Sequence, residues 1–287
     1  MNIAAVVILY HPGVETVANI DTYCNQVEKV YVFDNTEQVS IIKEMLLLKP
    51  GLLYFHDGKN EGIAARLNTA AQMAVAQGYE WLLMMDQDSS FTPLMIDNYL
   101  SCFNQYKNSE PVVMFGVNFE QDFQPAIAGC NPVFTNELIT SGTLLNLSKF
   151  KKIGLFDENL FIDGVDHEYA IRSLLAGYKM IQFPHIQLSH QLGTLVKRAS
   201  IKTLFLVKKV KKLHAPLRCY YIYRNNLYLQ KKYKNINLVD MQKLNKIAQS
   251  TITTNFFYGR NVLKLIHYLL LAKKDFRNNK MGKCAGN

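Results

Sequence analysis

Two hydrophobic patterns alternate along the first hundred residues. Near-continuous apolar runs are typical of strands covered on both faces, whereas apolar residues spaced three or four apart are typical of helices. The runs predict strands at Ile3–Tyr10, Lys29–Phe33, Gly51–Phe55 and Trp81–Met85. The helical spacing predicts helices at Val14–Asn25, Val39–Leu48 and Ile63–Gln77. This alternation predicts a parallel, doubly wound sheet of the α/β class.

Polar residues follow several of these predicted strands. Asp34 comes after the second strand, Asn60 follows the third, and Asp86 to Asp88 follow the fourth. Ligands of doubly wound sheets bind beyond the carboxyl ends of the strands. We therefore expect one crevice to collect these side chains.

The pattern changes beyond residue 110. It predicts strands at Val112–Val117, Ile139–Asn146 and Tyr178–Phe183, and a helix at Asp166–Ala176. Farther on, a helix ending at Pro216 would place apolar residues on one face and lysines on the other. Its apolar face would hold Leu206, Val207, Val210 and Leu213, and its basic face Lys202, Lys208, Lys209, Lys211 and Lys212. Two more helices are predicted at Leu217–Tyr233 and Asp240–Ala272.

Charge divides the chain near residue 195. The 287 residues carry a formal net charge of +9, but residues 1–195 contain 11 Lys and Arg against 21 Asp and Glu. Residues 196–287 contain 21 Lys and Arg against 2 Asp and Glu. We therefore predict an α/β domain over residues 1–195 and a basic helical region over residues 196–287.

Cysteine usage and hydropathy limit the class of protein. The five cysteines are scattered without a CxxC pair, which argues against a disulfide framework and a structural zinc site and favours a reducing compartment. The first apolar run has no basic residues before it and is followed by Pro12 and Gly13, so a strand is expected rather than a signal peptide. No run reaches the roughly 18 apolar residues of a spanning helix. We expect a soluble, cytosolic chain.

The acidic pair Asp86-Gln87-Asp88 is the first candidate for chemistry. Two carboxylates at the end of a buried strand can hold a divalent cation, which in turn neutralises a diphosphate. Acidic residues also cap helices, and the following Ser89, Ser90 and Pro93 suit a helix start. Both interpretations are open on this motif alone.

A second acidic cluster lies at Asp163-Gly164-Val165-Asp166-His167-Glu168. Such clustering often marks a site with altered pKa values, although Glu168 and Arg172, four residues apart, would form an ordinary helical ion pair. His190 is either structural or a metal ligand. Asn60, Glu61 and Gly62 open a helix that carries Arg66, and the exposed amides there could face an anion.

The order of these segments resembles glycosyltransferase family 2. The resemblance is carried by VVILYHP, VFDNT, NEGIAARLN, WLLMMDQDS, TSGTLLN, GLFDENLFIDGVDHEYAIR and LSHQLG, and it continues through HAPLRCYYIYRNNLYLQKKY. It covers roughly residues 3–233. The family implies an inverting, nucleotide-sugar-dependent enzyme with the GT-A fold, and the segments are most similar to bacterial rhamnosyltransferases of surface-polysaccharide synthesis.

The resemblance also implies roles for single residues. Asp34 would hydrogen-bond the pyrimidine base of the donor, and Asp86 and Asp88 would hold Mg²⁺ or Mn²⁺, with His190 completing the metal site. Asp166 would be the general base, but Val165 stands where the family has an acid, so Asp163 is the alternative. The other expected contacts to the nucleotide-sugar are Tyr10, Asn60, Gly62, Arg66, Gln87, Ser141 and Gly142, and residues 110–195 would form the acceptor side.

Three interpretations compete for the basic third: a solvated surface, a nucleic-acid site and a surface for anionic membranes. No nucleic-acid recognition motif accompanies the lysines. Lysine and arginine near an anionic membrane each contribute about 1 kcal/mol of binding. We therefore expect peripheral association with the inner face of the cell membrane and no nucleic-acid partner.

The sequence thus predicts transfer of L-rhamnose from dTDP-β-L-rhamnose, or of another sugar from a UDP-sugar, to a lipid-linked saccharide. The enzymatic alternative is a phosphatase of the haloacid dehalogenase type, which also uses an Asp-x-Asp motif but places it after its first core strand. The non-enzymatic alternative is a basic membrane- or RNA-binding protein on a transferase-like scaffold.

Overall fold

The computed structural model describes residues 2–109, 111–119, 129–190, 195–200, 202, 206–236 and 239–285. The chain forms two units. The sheet unit comprises Met1–Glu158 and Val165–Gln191, and the helical unit comprises Asn159–Gly164 and Leu192–Asn287.

Four parallel strands form one half of the sheet. In spatial order they are β3 (Leu52–His56), β2 (Lys29–Asp34), β1 (Ile3–Leu9) and β4 (Trp81–Asp86). The helices between them are α1 (Glu15–Asp21), α2 (Lys43–Leu47) and α3 (Gly62–Ala76). All seven residues of β1 are buried, as its apolar sequence predicts for a strand covered on both faces. The parallel arrangement predicted for this part of the chain is confirmed.

The other half of the sheet is mixed. Its strands are β5 (Ser89–Ser90), β6 (Val112–Phe119), β7 (Val133–Thr135), β8 (Thr143–Asn146) and β9 (Lys179–His190), and its helices are α4 (Pro93–Tyr106), α5 (Leu147–Ile153) and α6 (Val165–Leu175). Strand β8 runs antiparallel to both β4 and β6, whereas β6 and β9 are parallel. Strands β5 and β7 pair antiparallel with β9. The doubly wound pattern therefore ends at β4, because an antiparallel partner needs no helical crossover.

One disulfide lies in the sheet unit. Cys102 of α4 is bonded to Cys130, and their Cα atoms are 5.4 Å apart, a separation within the usual range for a disulfide. The cysteine pattern argued against a disulfide framework and did not indicate this single bond. An odd number of cysteines does not exclude a single disulfide. Besides the bonded pair, the chain has three buried thiols, at Cys24, Cys219 and Cys284.

The helical unit differs from the predicted helical pattern at its start. Residues predicted as a helix before Pro216 instead form β11 (Lys209–Lys212), which pairs antiparallel with β10 (Leu195–Arg198). The spacing of the lysines and Val210 is compatible both with the alternation of a strand and with the period of a helix. Pairing with β10 stabilises the strand. We call β10 and β11 the ribbon.

Three helices complete this unit. They are α7 (Pro216–Lys232), α8 (Val239–Tyr258) and α9 (Val262–Arg277). The first agrees with the prediction, but the single helix predicted at Asp240–Ala272 is interrupted at Gly259, whose N–H donates to the carbonyl of Asn255. Within the ranges that the structure describes, no helix is long and apolar enough to cross a membrane.

A buried arginine organises the helical unit. Arg224 of α7 is completely buried, donates to the Tyr220 hydroxyl at 3.0 Å and lies over the rings of Tyr220 and Tyr221. The neighbouring Asn225 donates to the carbonyls of Leu160, Ile162 and Asp163. A buried side chain that satisfies three carbonyls fixes the path of residues 159–164 along α7.

Candidate active site

The carboxyl ends of the parallel strands bring the predicted residues to one edge of the sheet. Asp34 is the register partner of both Leu9 and His56, and Asp86 is the partner of Ile8. The end of β2 therefore lies level with the ends of β1, β3 and β4. This is the edge at which ligands of α/β sheets bind.

Asp34 holds the loop that follows its own strand. The side chain is fully buried, and its two carboxylate oxygens accept the backbone N–H groups of Thr36 and Ser40 at 2.9 and 3.1 Å. The hydroxyl of Tyr54 donates to the same carboxylate. Burial and then the adjacent carboxylate raise the pKa of Tyr54, which keeps this donor protonated. The proposed contact with a pyrimidine base would add to a carboxylate that already accepts three hydrogen bonds.

Arg66 of α3 ties two loops together. Its Nε donates to Asn35 at 2.7 Å, and its Nη2 donates to Asp57 at 2.7 Å and to the Lys59 carbonyl at 3.0 Å. Asn35 in turn donates to the carbonyl of Gly62. The guanidinium lowers the pKa of Asp57 mainly through the hydrogen bond that Arg66 donates to the Asp57 carboxylate. The arginine is buried whereas Asp57 is about half exposed, so solvent screens the ion pair and reduces its contribution to stability.

Asn60 and Gly62 shape the start of α3. The Asn60 side chain accepts the N–H of Gly62 at 3.1 Å, and Gly62 has φ +83°, a left-handed conformation that favours glycine. An asparagine that accepts an N–H two residues ahead is a common turn former. The motif predicted to face an anion is therefore a compact turn at the same sheet edge.

Gln87, the middle residue of the Asp-x-Asp motif, clamps the end of β1. Its side-chain oxygen accepts the Tyr10 N–H at 2.8 Å, and its side-chain nitrogen donates to the Tyr10 carbonyl at 3.2 Å. Asn19 donates to the Gln87 carbonyl at 3.0 Å. The Tyr10 ring itself is 46% exposed. The motif and the β1 loop thus form one connected structure, and the side chain of Tyr10 can reach a ligand.

Ser141 and Gly142 support the motif from the side of β8. The Ser141 hydroxyl accepts the N–H of Asp86 at 3.1 Å, and the Gly142 N–H donates to the carbonyl of Met84 at 2.9 Å. Gly142 has φ +75°, and a Cβ there would lie 2.6 Å from Cγ2 of Val117. Only glycine fits this position without strain.

His190 reaches the acidic pair through backbone pairing. It is the antiparallel partner of Ser89, so its backbone lies one residue from Asp88. The side chain of His190 lies outside the described part of the structure. Oxygen ligands from one or two carboxylates, together with substrate phosphates, are the usual set for Mg²⁺. Asp86 and Asp88 fit such an ion, although the described residues hold no ready-made group of three metal-binding side chains.

Asp166 lies in the first turn of α6 and bonds to its neighbour. Its Oδ1 accepts both the N–H and the ring Nδ1 of His167 at 2.9 Å. The other ring nitrogen, Nε2, is 4.0 Å from Glu137. Burial works to raise the pKa of Asp166, but the charge and hydrogen bonds of His167 outweigh it and hold this pKa below its ordinary value. Asp166 is therefore a carboxylate at neutral pH.

The remaining members of the second acidic cluster have structural partners. Arg172 donates to both oxygens of the buried Glu168 and to the carbonyls of Ile153 and Leu155, as the four-residue spacing predicted for the ion pair. Asp163 belongs to the helical unit, where Arg218 donates to it at 3.0 Å.

Sequence reasoning missed several residues of this region. His167 and Glu137 flank the predicted base, and Tyr54 and Asp57 hold Asp34 and Arg66. Only His167 gave a sequence signal, because it lies inside the acidic cluster. The others come from different loops, and their proximity depends on the tertiary structure.

One family model and two known proteins are similar to this chain. Residues 11–125 match the model of the family described as Glycosyl transferase family 2. The chain is 28% identical over 251 residues to the dTDP-rhamnosyl transferase RfbF of Shigella flexneri, and the match covers 80% of both chains. It superimposes with a TM-score of 0.53 and 13% identity on a crystal structure of GalNAc-T7 with UDP, GalNAc and Mn²⁺, covering 66% of this chain and 43% of that one.

Proposed function

We propose that this chain, a glycosyltransferase with the GT-A fold whose residues 11–125 match glycosyl transferase family 2, uses one particular donor, base and acceptor. The donor is dTDP-β-L-rhamnose, and the sugar is transferred with inversion to a lipid-linked saccharide. The observation that carries the proposal is the sheet edge at which Asp34, the Asp86–Asp88 motif and the backbone of His190 meet. The similarity to a dTDP-rhamnosyl transferase over 80% of the chain supports the choice of sugar. The phosphatase alternative has no support, since the acidic motif follows the fourth strand.

Asp166 is the general base of the proposed reaction. An acceptor hydroxyl attacks the anomeric carbon, its proton passes to the Asp166 carboxylate, and the bond to the nucleoside diphosphate breaks. The lowered pKa keeps this carboxylate ionised at neutral pH, and the proton transfer becomes favourable as the hydroxyl gains positive charge during attack. The reaction needs no covalent enzyme intermediate.

Asp86 and Asp88 would hold the divalent cation. When bound, Mg²⁺ or Mn²⁺ supplies positive charge that neutralises the departing diphosphate. The backbone of this motif is supported at two points, by Ser141 at Asp86 and by the Gln87 clamp on Tyr10. These contacts set the positions of the two carboxylates before the donor arrives, which limits the entropy lost on binding.

Donor binding is tested by thermal shift with a panel of nucleotide-sugars and Mn²⁺. We expect dTDP compounds to stabilise the wild type, with the shift lost in Asp88→Asn and kept in Asp97→Asn, which removes an exposed carboxylate of α4. A stronger response to another nucleotide would exclude dTDP-rhamnose as the donor. No response to any nucleotide would favour the non-catalytic alternative.

The base is tested by two matched variants. Asp166→Asn should keep the donor-induced thermal shift but reduce transfer by at least about 100-fold, the usual contribution of a general base. Asp163→Asn removes the negative charge that faces Arg218 and should retain most of the transfer activity. The reverse result would assign the base to Asp163.

The ribbon supports the proposed association with an anionic membrane. Paired residues of an antiparallel ribbon share a face, so Leu195, Lys197, Val210 and Lys212 lie together. Leu195 and Val210 are 60% and 58% exposed. Apolar side chains flanked by lysines suit the interface of an anionic bilayer. Co-sedimentation with phosphatidylglycerol vesicles should fall in Val210→Asp and in high salt, and binding indifferent to lipid charge at low salt would refute the proposal.

A further inference from the structure

A basic, open cavity lies on the surface of the helical unit, and none of its lining residues is assigned to transfer. Its volume is about 530 Å³. We call it the lysine cavity. Its lining residues are Lys202, Lys209, Lys211, Lys246, Gln249, Ser250, Thr253, Thr254 and Tyr258. The four lysines come from three places in the chain, namely the segment after β10, strand β11 and helix α8.

The ribbon directs two of these lysines into the cavity. Lys209 and Lys211 alternate with Val210 along β11, so they lie on the face opposite Val210 and Lys212, where Lys209 is exposed and Lys211 is half-buried. Arg198, the register partner of Lys209, donates to the carbonyl of Tyr258 at 3.0 Å. At the other end of the ribbon, the His214 N–H donates to Asn255 at 3.0 Å. Both bonds hold the ribbon against the last turns of α8.

Aromatic rings lie next to two of the four lysines. Lys202 lies with its Nζ 4.3 Å from the centre of the Phe257 ring, and Lys211 Nζ lies 6.0 Å from the centre of the Tyr258 ring. Cation–π contacts of this kind hold an ammonium group without neutralising it. The lysines are therefore oriented by neighbours that leave their charge available to a ligand.

Electrostatics in the lysine cavity favour an anion. Among the described residues, no carboxylate lines the cavity and none forms an ion pair with any of its four lysines. Four ammonium groups around one cavity repel one another, and an anion at the centre would remove that repulsion. Serine, threonine and tyrosine hydroxyls and the Gln249 amide add donors of the kind that bind phosphate oxygens.

We infer that the lysine cavity binds a phosphate-bearing group, either a diphosphate or a phospholipid headgroup. A carboxylate ligand would offer two oxygens to this donor set, whereas a phosphate offers three or more and carries up to two charges. The inference does not depend on the proposed transfer reaction, because every residue that carries it lies in the helical unit.

Calorimetric titration of the full chain with pyrophosphate tests the inference. EDTA is included so that metal-assisted binding at Asp86 and Asp88 does not contribute. The variant Lys209→Gln/Lys246→Gln removes two cavity lysines, and Lys208→Gln/Lys212→Gln is its control with the same change of net charge outside the cavity lining. We expect a loss of at least about tenfold in affinity for the cavity variant, because each lysine removed takes away a charged hydrogen bond to the phosphate, and a loss of at most about twofold for the control.

A change without loss of charge separates a defined site from a diffuse basic surface. Thr253→Val removes one cavity hydroxyl and should weaken pyrophosphate binding by roughly threefold, as expected for a neutral hydrogen bond. Equal losses in the two double-lysine variants, or no pyrophosphate binding by the wild type, would overturn the inference. Circular dichroism verifies that each variant keeps the wild-type helix content.

Vesicles distinguish the two sources of phosphate. If the ligand is a phospholipid headgroup, Lys209→Gln/Lys246→Gln should lose binding to phosphatidylglycerol vesicles and excess pyrophosphate should displace the wild type. If the ligand is a diphosphate, this variant should lose pyrophosphate binding and still bind vesicles through the exposed ribbon face. Either result supports a phosphate site, and unchanged binding of both probes would refute it.

Discussion

Gly142→Ala provides a sharp test of how the sheet unit supports its acidic motif. Gly142 has φ +75°, and a Cβ at this position would lie 2.6 Å from Cγ2 of Val117 and 3.3 Å from Cδ2 of Leu188. Both neighbours are buried, so neither can move into solvent. Its N–H bonds to Met84, and Ser141 beside it accepts the N–H of Asp86. The substitution therefore strains the loop that supports the motif.

Three contributions set the size of the effect. A left-handed conformation costs an alanine about 1–2 kcal/mol. Relief of the overlap in a packed core costs about 1–3 kcal/mol more. Loss of glycine's freedom in the unfolded chain returns about 0.4–1 kcal/mol. We expect Gly142→Ala to lower the free energy of unfolding by about 1–5 kcal/mol, a large fraction of the roughly 5–15 kcal/mol of a typical protein.

The single tryptophan allows the free energy of unfolding to be measured for the sheet unit alone. Trp81 is buried in β4, so its fluorescence in a urea titration reports on unfolding of that unit. The control is Gly78→Ala, which has φ +83° but no atom within 4 Å of the added Cβ. Gly78→Ala should lower the free energy of unfolding by only about 1 kcal/mol. This is the cost of the left-handed backbone minus the stabilisation from the less flexible unfolded chain. If both variants lower the unfolding free energy equally, the packing argument at Gly142 is wrong.

Three further predictions concern the site and its surroundings. Arg66→Lys cannot reproduce the fork that joins Asn35, Asp57 and Lys59, and it should lower the unfolding free energy by about 1–3 kcal/mol in the Trp81 assay. Since Asp166 titrates below its ordinary range, its ionised form is lost only at low pH. His167→Asn removes the imidazole charge and its hydrogen bond and leaves only backbone hydrogen bonds to oppose burial, so it should raise the pKa of Asp166 and move the acidic limb of the kcat/KM profile to higher pH. An unmoved limb would show that His167 does not act on the proposed base. Reduction of Cys102–Cys130, 28 residues apart, should cost about 3–4 kcal/mol in urea, with the double serine variant insensitive to reductant.

The sequence predicted the parallel half of the sheet because its signals are local. Each strand is a nearly unbroken apolar run, and three of the four end at a polar residue, namely Asp34, His56 and Asp86. The rule that ligands bind at carboxyl strand ends then located Asp34 and Asp86 correctly on one edge. Strand β8 could not be predicted in the same way, since its direction depends on which strands it pairs with.

In the basic region, the spacing of apolar residues did not distinguish a helix from a strand. Val210 between two lysines is compatible with a helix face and with a strand, and the choice is made by β10, more than ten residues away. The prediction of a helix was therefore wrong there, while α7, which has a proline at its start and a full 17 residues, was predicted correctly. The contact of His167 with Asp166 was equally hidden, because residues adjacent in sequence usually point in different directions on a helix.

The structure also changes how the motif residues of this site should be understood. Asp34, Arg66, Gln87 and Ser141 were predicted as ligand contacts, yet each forms hydrogen bonds to a neighbouring loop. Loops at strand ends lose conformational entropy when they bind a ligand unless they are already fixed. Side chains that first fix the loops lower that cost, so the same residue can contribute to stability and to donor affinity. Variants of Gln87 or Arg66 should therefore weaken both properties together, whereas loss of Asp88 should reduce donor binding with little effect on unfolding.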